Sequence, residues 1–275
     1  MRNIDVILST YNWPQALERT LHGFNEQSLK DFKIIIADDG SDEKTKNLVE
    51  EILKRTNLKI IHCWQEDKGF RKARILNKAV KCSNAEQIIF TDQDSIPHYD
   101  FVKEHHRRFV KNGILVGGYV RLTKEYTEKL TIDKVISKDY LGQVTKKRKM
   151  ELLWKHLKSI FYIYNPLHNH RPSIMGLNFS MDRKAFFKVN GFDINYEGWG
   201  QEDSDLANRL WKARIPFGSF WNVCLAFHQW HPQNPSKNLQ KNRAYYKRKD
   251  APIICTNGFL QTEPAITSVC HQDYI

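Results

Sequence analysis

Two aspartates one residue apart, Asp92 and Asp94, flank Gln93 directly after an apolar run of the sequence. Their carboxylates are hard oxygen ligands of the kind that Mg²⁺ or Mn²⁺ takes in proteins. A cation held there can bridge diphosphate oxygens and stabilise the leaving group of a group transfer. This spacing is frequent by chance, so its position at the end of an apolar run is what makes it a candidate metal and diphosphate site.

Two histidines, His228 and His231, lie three residues apart in the carboxyl-terminal part of the chain. This spacing can place both imidazoles on the same side of a turn or helix, where they complete a coordination sphere. A single histidine is more often a surface or capping residue. Because the paired aspartates already call for further ligands, we predict that one of these two histidines helps to hold the cation, and the spacing leaves open which one.

An acidic cluster that also contains glycines and an indole occupies residues 198–205, with the sequence Gly-Trp-Gly-Gln-Glu-Asp-Ser-Asp. The glycines allow close backbone approach to a ligand, and the indole offers an apolar face to a sugar ring. A carboxylate beside them can act as a general base. The alternative is a helix N-terminus, where the helix dipole favours acids. The two interpretations are compatible, because a carboxylate in the first turn of a helix is rigidly placed.

The elements that would position these residues alternate between strands and helices. This rhythm is typical of a doubly wound, mostly parallel α/β sheet flanked by helices, whose ligand sites lie at the carboxyl ends of the strands. Polar clusters do follow these strands, and although any one of them could be a simple turn, their number favours a site. The predicted strands are 4–10, 33–37, 59–63 and 87–91, and the predicted helices are 13–27, 43–55 and 71–82.

The alternation of strand and helix patterns becomes less regular beyond residue 115. Residues 117–120 are a candidate strand, and the polar, basic stretch 123–150 indicates an excursion or a mobile loop. Residues 150–164 mix aromatics with lysines at helical spacing, so this helix either lies on anionic lipid or packs on the core with solvated lysines. We expect one continuous domain with three parts: a nucleotide-binding half at 1–122, a basic excursion at 123–172 and an acceptor-binding half at 173–275.

The composition is that of a folded protein with a basic surface: 41% of the 275 residues are hydrophobic, 27% are charged and the formal net charge is +12. Such a surface attracts polyanions. Without zinc-finger spacing or an RNA-binding signature, we expect no nucleic-acid partner.

The five cysteines form no CxxC pair, and the amino terminus leads straight into a strand. We therefore expect a cytoplasmic protein, either free or peripheral at the inner face of an anionic membrane. The oligomeric state is left open.

Several ordered motifs resemble those of bacterial family 2 glycosyltransferases of the GT-A type. The carboxyl half resembles the galactosyltransferase-type module shared with β-1,4-galactosyltransferases and chondroitin polymerases. Together the resemblance covers residues 4–122 and 173–232. The motifs are Ser9–Asn12, Ala37–Ser41, Lys68–Asn77 and the paired aspartates in the first half, and Met175–Ser180, Val189–Asp193 and Gly198–Asp203 in the second.

The resemblance implies a UDP-sugar donor and a Mn²⁺ or Mg²⁺ cofactor. Asp94 would carry the metal, His231 matches the family's metal-binding histidine, and His228 falls at the companion position. The residues that would hold uracil, ribose, diphosphate and sugar are Thr10, Tyr11, Asn12, Asp39, Arg71, Asp92, Gln93, Trp199 and Gly200.

The resemblance also implies an inverting mechanism, in which Asp203 deprotonates the acceptor hydroxyl and Glu202 lines the sugars. The acceptor would be a glycan or glycolipid, most commonly in surface polysaccharide or lipopolysaccharide assembly. The chain departs from the pattern at Gln201, where many relatives have glycine or arginine, so the sugar is not identified. The alternatives are a nucleotidyltransferase, which would need a glycine-rich phosphate loop, and a non-catalytic carbohydrate- or nucleic-acid-binding protein.

Overall fold

The amino-terminal third of the chain alternates strands and helices, as the apolar runs predict. The strands consist largely of β-branched residues, which fit a pleated sheet, and they are buried along almost their whole length. The computed structural model describes residues 2–165, 170–232, 238–264 and 266–270. The first elements are β1 (Ile4–Thr10), α1 (Pro14–Asn25), β2 (Lys33–Asp38), α2 (Glu43–Arg55), β3 (Lys59–Trp64), α3 (Lys72–Lys81) and β4 (Gln87–Asp92).

The rest of the chain adds five strands and seven α-helices within the described residues. They run from the end of β4 to the carboxyl-terminal region, with one short 3₁₀ helix at Asp139–Gln143. The elements are β5 (Ser95–Pro97), α4 (Phe101–Arg107), β6 (Ile114–Arg121), α5 (Lys124–Glu128), α6 (Ile132–Ile136), α7 (Lys146–Tyr164), β7 (Phe179–Asp182), α8 (Arg183–Lys188), α9 (Glu202–Lys212), β8 (Phe217–His228), α10 (Leu239–Tyr246) and β9 (Ile266–Cys270).

All nine described strands belong to one sheet, in the order β5-β8-β6-β7-β4-β1-β2-β3-β9. The pairings make β1, β2, β3, β4, β6 and β8 point the same way, whereas β5, β7 and β9 run antiparallel to them. The expectation of a mostly parallel α/β sheet is therefore confirmed. Because the carboxyl ends of parallel strands share an edge, Thr10, Asp92 and His228 meet on one side of the sheet.

Residues 123–164 contain helices where their polar composition indicates an excursion or loop. Each of three successive helices is N-capped by a threonine hydroxyl, from Thr123, Thr131 and Thr145, which accepts a backbone N–H three residues later. Two of these helices are five residues long, too short to show a helical period. The helix that we predict at 150–164 begins earlier, at Lys146, and packs against β8.

A buried amide joins the antiparallel strand β7 to the parallel half of the sheet. The Nδ2 of Asn178 donates to the carbonyls of Gly118 and Cys224, at 2.6 and 3.0 Å, and its Oδ1 lies 3.1 Å from the Nε2 of His105. The other ring nitrogen of His105 lies 2.8 Å from the hydroxyl of Ser180. Burial lowers the pKa of His105 to about 3, so the ring is neutral. This network explains the Asn-Phe-Ser part of the Met175–Ser180 motif as a structural join.

A second buried amide joins the two halves of the chain. Asn77, the last residue of the Lys68–Asn77 motif, pairs with both backbone groups of Phe192, donating to its carbonyl at 2.8 Å and accepting its N–H at 3.0 Å. Gly191 lies beside it with a φ of +66°, and a Cβ there would lie 2.7 Å from the Asn77 oxygen. The Lys68–Asn77 and Val189–Asp193 motifs are therefore two sides of one contact.

Candidate active site

Gln93, the middle residue of Asp92-Gln93-Asp94, ties the end of β4 to the end of β1. Its Oε1 accepts the backbone N–H of Tyr11 at 3.1 Å and also the hydroxyl of Thr10, while its Nε2 donates to the Tyr11 carbonyl at 3.0 Å. Both the oxygen and the nitrogen of the Gln93 side-chain amide thus form hydrogen bonds within the protein. Gln93 positions Tyr11, and a direct contact with the nucleotide stays a prediction for this residue.

Tyr11 and Asn12 form the rim of the site at the end of β1. The hydroxyl of Tyr11 donates to Asp67 at 2.9 Å, and its ring is exposed. Asn12 has a φ of +42°, and its Oδ1 accepts the backbone N–H of Asp42 at 2.8 Å. The turn after β1 is therefore fixed against the turn after β2, and this leaves one face of the Tyr11 ring open to a ligand.

Asp39 lies buried at the end of β2 and is held from two sides. Its Oδ1 accepts the side-chain amide of Gln65 and its Oδ2 accepts the backbone N–H of Arg71, both at 2.6 Å. Burial raises the pKa of this carboxyl to about 6 despite both hydrogen bonds. The guanidinium of Arg71 donates to the Glu66 carbonyl, and its buried Nε has no hydrogen-bond partner among the residues described by the structure. The predicted nucleotide residues Asp39 and Arg71 are thus neighbours.

Lys72, the first residue of α3, lies at the centre of a carboxylate cluster that the sequence reasoning did not identify. Its ammonium contacts the Oδ1 of Asp92 at 2.5 Å, and the Ser9 hydroxyl donates to the same oxygen. Burial opposes the charge of Lys72, but Asp92, Asp203 and Glu202 together raise its pKa above the ordinary value. Burial likewise opposes the charge of Asp92, and Lys72 nevertheless holds its pKa below the ordinary value.

Glu202 and Asp203 begin α9 and point toward Lys72. The Gly176 backbone N–H donates to Asp203, and a Cβ at Gly176 would lie 2.4 Å from the Asp203 Oδ2. The glycine of the Met175–Ser180 motif therefore makes room for this carboxylate. The Asp203 Oδ1 and the Glu202 Oε2 are buried and have no hydrogen-bond partner within the part of the chain that the structure describes. Two unpaired acceptor oxygens on adjacent carboxylates are suited to bind the hydroxyl groups of a ligand.

Asp203 has the protonation behaviour of a general base. Burial raises its pKa to about 7, the charge of Glu202 acts in the same direction, and Lys72 opposes both. A base with a pKa near the working pH accepts a proton efficiently and is still largely free to do so. The geometry and the pKa thus favour the same residue that the family resemblance implies.

The loop before α9 carries Trp199 and Gly200 and is held in an unusual conformation. Gly198, Gly200 and Gln201 have φ values of +78°, +104° and +80°. The buried Nδ2 of Asn242 donates to the carbonyls of Glu197, Gly198 and Gly200 at 3.1–3.3 Å. The indole of Trp199 is half exposed, at 51%. A single amide from α10 thus presents this ring to the site, and nothing in the sequence indicates that role for Asn242.

Asp94, His228 and His231 form a second cluster beside the first. The Nε2 atoms of both histidines lie 3.5 Å from the Oδ2 of Asp94. Antiparallel pairing of β5 with β8 brings them together, since the Gln229 N–H donates to the Asp94 carbonyl at 2.7 Å. The His231 Nδ1 donates to the Pro232 carbonyl at 2.9 Å. The lone pair of the neutral ring is therefore on Nε2, the nitrogen that faces Asp94.

These three residues have the donor set of a transition-metal site. Their ligand atoms all lie within 4.8 Å of one another. Burial raises the pKa of Asp94, and the carboxylate of Asp92 adds to that effect, while the two histidines oppose it. A divalent cation bound to Asp94 would offset the cost of burying the charge of this carboxylate. One carboxylate with two imidazoles suits Mn²⁺ better than Mg²⁺, which prefers oxygen ligands and retains its waters.

The family is shown by comparison with known proteins. Residues 5–188, more than half of the chain, match the family model for glycosyl transferase family 2. The chain belongs to glycosyltransferase family 2. Residues 156–239 also match the model described as the N-terminal domain of galactosyltransferase. The two matches overlap where the second half of this family 2 chain begins, in agreement with the resemblance of its carboxyl-terminal motifs.

Relatives of this family 2 member include the validoxylamine A glucosyltransferase of Streptomyces hygroscopicus subsp. jinggangensis, which is 25% identical over 271 residues. The match covers 91% of this chain and 62% of the relative, so the chain spans about three fifths of that protein.

Two solved structures share the fold. One is the mannosyltransferase PcManGT from Pyrobaculum calidifontis in complex with GDP-Man and Mn²⁺, with a TM-score of 0.61 at 18% identity, covering 91% of this chain and 66% of that one. The other is residues 1–349 of S. aureus TarS in complex with UDP, with a TM-score of 0.57 at 16% identity, covering 84% and 61%. Both support the GT-A architecture.

Proposed function

We propose that this chain is a metal-dependent, inverting glycosyltransferase that moves a sugar from a UDP-sugar to a hydroxyl of a glycan or glycolipid acceptor. The observation that carries the proposal is Asp203, a rigid carboxylate with an open Oδ1 and a pKa raised by burial to about 7, placed next to the metal-ligand cluster. A nucleotidyltransferase or a binding module would have no use for such a base.

Asp203 takes the proton of the acceptor hydroxyl through Oδ1, and the oxygen of that hydroxyl attacks the anomeric carbon from the side opposite the diphosphate. The bond to the diphosphate breaks as the new glycosidic bond forms, so the configuration inverts. Glu202 offers its open Oε2 to a sugar hydroxyl, and Lys72 holds the neighbouring carboxylates in place. General base catalysis of this kind contributes about 10²–10⁴-fold.

The donor would lie across the carboxyl edge of the sheet. Thr10, Tyr11, Asn12, Asp39, Arg71, Asp92 and Gln93 would surround the nucleotide, and Trp199 and Gly200 the sugar. The presence of UDP in the TarS structure supports this donor class, whereas PcManGT holds GDP-Man. Asp94, His228 and His231 would hold Mn²⁺, as PcManGT holds that ion. When bound, the cation supplies Lewis-acid stabilisation of the leaving diphosphate.

The test is release of UDP by the purified chain from a panel of UDP-sugars in the presence of Mn²⁺, without acceptor. We expect slow hydrolysis of at least one donor, lost on chelation and restored more fully by Mn²⁺ than by Mg²⁺. If no nucleotide sugar is cleaved and no metal-dependent nucleotide binding is detected, the chain is not a transferase.

We further propose that the chain works at the inner face of an anionic membrane, in assembly of a surface polysaccharide or lipopolysaccharide. Within the described residues, no helix is long and apolar enough to cross a bilayer. Support comes from the outer face of α7, where Trp154, Phe161 and Tyr164 are 66%, 52% and 75% exposed on the same side of the helix as Lys146 and Lys147. Aromatic rings and lysines on one helix suit an anionic lipid interface.

Sedimentation with vesicles tests the membrane proposal. We expect binding to phosphatidylglycerol vesicles that falls with salt and is lost in the Trp154→Ser, Phe161→Ser variant. Absence of binding to these vesicles at low salt would remove α7 as a membrane contact and leave the transferase proposal unaffected.

A further inference from the structure

A cavity of about 740 Å³ borders α7 on the side that carries Lys155 and Tyr162, next to the exposed aromatic face. It is bounded by α7, by the segment before β7, and by single residues of β8, α9 and α10. Its size is that of a site for a small molecule or a short sugar chain. The lining residues on which the inference depends are Lys155, Lys158, Arg171, Met175, Trp221 and Tyr246.

Two of the cavity walls lead directly to the proposed base. Met175 lines the cavity, and its neighbour Gly176 donates its backbone N–H to Asp203. On another wall, the guanidinium of Arg171 donates to the carbonyl of Ser204, the residue after Asp203, at 3.0 Å. A molecule in this cavity would therefore lie on the acceptor side of Asp203.

The cavity concentrates positive charge. Lys155 and Lys158 are one turn apart on α7, and no carboxylate is among the described residues that line it. Arg171 donates to neutral groups: the Pro172 and Ser204 carbonyls, the Asn208 amide oxygen and the Tyr246 hydroxyl. The charge of the guanidinium is therefore not cancelled by these contacts.

The charge of Lys155 is also poorly compensated. Burial lowers the pKa of Lys155, and Arg148 lowers it further, whereas Glu151 opposes them. Glu151 itself is already paired with Arg148 at 2.9 Å. An anion in the cavity would relieve this unfavourable balance.

The buried indole of Trp221 supplies a polar donor that has no acceptor. Trp221 is only 2% exposed, and its Nε1–H has no hydrogen-bond partner among the described residues. The ammonium of Lys155 lies 5.0 Å from the centre of its ring. Trp221 also lines the cavity, so its ring places Lys155 and a buried, unpaired donor at the same wall.

We propose that this cavity binds an anionic group of the acceptor, a phosphate or a carboxylate on or next to the sugar whose hydroxyl is glycosylated. Lys155, Lys158 and Arg171 supply the charge, and the ring of Trp221 forms part of the wall beside Lys155. The inference rests on the proposed function, since it assigns the cavity to the acceptor. It narrows the substrate class to acidic acceptors.

Binding of three probes to the full chain tests the proposal: glucose 6-phosphate, methyl β-glucuronide and the neutral methyl β-glucoside. The measurements are made with the nucleotide site saturated by UDP and Mn²⁺, so that the probes report on the cavity. We expect at least one charged probe to bind about tenfold or more tightly than the neutral one, and the preferred probe distinguishes a phosphate from a carboxylate. Equal binding of all three would overturn the proposal.

Matched variants locate the effect. The Lys155→Gln, Lys158→Gln variant should lose the preference for a charged probe, and Lys155→Arg, Lys158→Arg should retain it. The control is Lys146→Gln, Lys147→Gln, which removes two exposed lysines of α7 outside the cavity lining. An unchanged preference in the first variant, with an unchanged melting temperature, would place the anion elsewhere.

UDP release without acceptor separates this inference from the proposed function. The Lys155→Gln, Lys158→Gln variant should hydrolyse the UDP-sugar at the wild-type rate, because neither residue lies in the donor site. If hydrolysis is present and the charge preference is absent, only the acceptor inference fails. If no form of the protein hydrolyses any donor, the proposed function fails, whatever binds in the cavity.

Discussion

Asp92 and Asp94 are separated by one residue, yet they lie in opposite electrostatic surroundings. Asp92 is paired with Lys72 at 2.5 Å, and the lysine holds the pKa of Asp92 below its ordinary value against the effect of burial. Asp94 accepts the Ser95 hydroxyl at 3.1 Å, its possible cationic neighbours are the two imidazoles at 3.5 Å, and burial raises its pKa. One carboxylate is already neutralised by the protein, and the other requires a cation from outside. Residues of a paired-aspartate motif are therefore not equivalent metal ligands.

The same contrast separates the two clusters that these aspartates anchor. Around Lys72, the protein's own cation holds together three carboxylates, one of which is the proposed base. Around Asp94, the histidines and the carboxylate are arranged for an ion that the chain itself does not supply. Substitutions in the two clusters should therefore fail in different ways, one in chemistry and the other in metal and nucleotide binding.

The largest effect is expected in the Lys72 cluster. Asp203→Asn keeps the shape of the side chain but removes its basicity, so we expect kcat for transfer to fall by about 10²–10⁴-fold while the Kd for UDP stays within a few-fold. Steady-state kinetics and UDP titration measure both. Asp250→Asn, at an exposed position, is the control. Transfer at the wild-type rate in Asp203→Asn would exclude this residue as the base.

The next effect tests the two aspartates against each other. Asp94→Ala should abolish Mn²⁺-dependent UDP binding and remove several kcal/mol of transition-state stabilisation. Asp92→Asn should still bind one Mn²⁺, because Asp92 is committed to Lys72. Titration of Mn²⁺, followed by electron paramagnetic resonance, compares them. Equal loss of Mn²⁺ in both variants would show that Asp92 is also a direct ligand and would break the comparison.

A smaller effect concerns pH. Because Asp203 must be unprotonated to act and its pKa is raised to about 7, kcat/KM should rise with pH through about 7 and level off above it. Lys72→Met removes the cation that lowers this pKa, so the acid limb should move to higher pH. Each pH unit by which the acid limb moves lowers kcat/KM about tenfold at any pH on the acid side of the limb. An acid limb that is unchanged in Lys72→Met would contradict the cluster described for Lys72.

The smallest effect is on stability. Gln201 has a φ of +80°, in the left-handed region that costs a residue with a side chain about 1–2 kcal/mol. Gln201→Gly should therefore raise the free energy of unfolding by about 1 kcal/mol, less the entropy that glycine loses. Thermal or denaturant unfolding measures the change, with Gln201→Ala as the control that should not gain. A destabilised Gln201→Gly would mean that the side chain makes contacts worth more than the strain.

The sequence predicts the fold most accurately where periodicity is simple. The runs at 4–10, 33–37, 59–63 and 87–91 agree with the strands to within one residue, because their β-branched residues leave little choice of structure. The short helices between residues 123 and 143 were not predicted. They depend on threonine caps and tertiary contacts, since five residues cannot show a 3.6-residue period.

The sequence predicts the site unevenly for a related reason. Acidic and histidine residues are recognisable by type, so Asp94, His228, His231 and Asp203 could be proposed without coordinates, although the assignment of each role remains a prediction. Lys72 and Asn242 could not, because their importance comes from distant partners that only the fold brings near. A lysine or an asparagine in a helix has no local feature that distinguishes a positioning residue from a solvated one.

The thickness of α7 bears on which acceptors can reach the proposed base from a membrane surface. One side of the helix borders the cavity near the contact of Gly176 with Asp203, and an adjacent side, about a quarter turn around the helix axis, exposes the rings of Trp154 and Phe161. A helix with its side chains is about 10–12 Å across. If the side that carries these rings rests on a bilayer, the helix sets the height of the cavity, and only acceptor hydroxyls carried within about one helix diameter of the lipid headgroups can reach the base. The acceptor would then be selected by its distance from the membrane as well as by its charge.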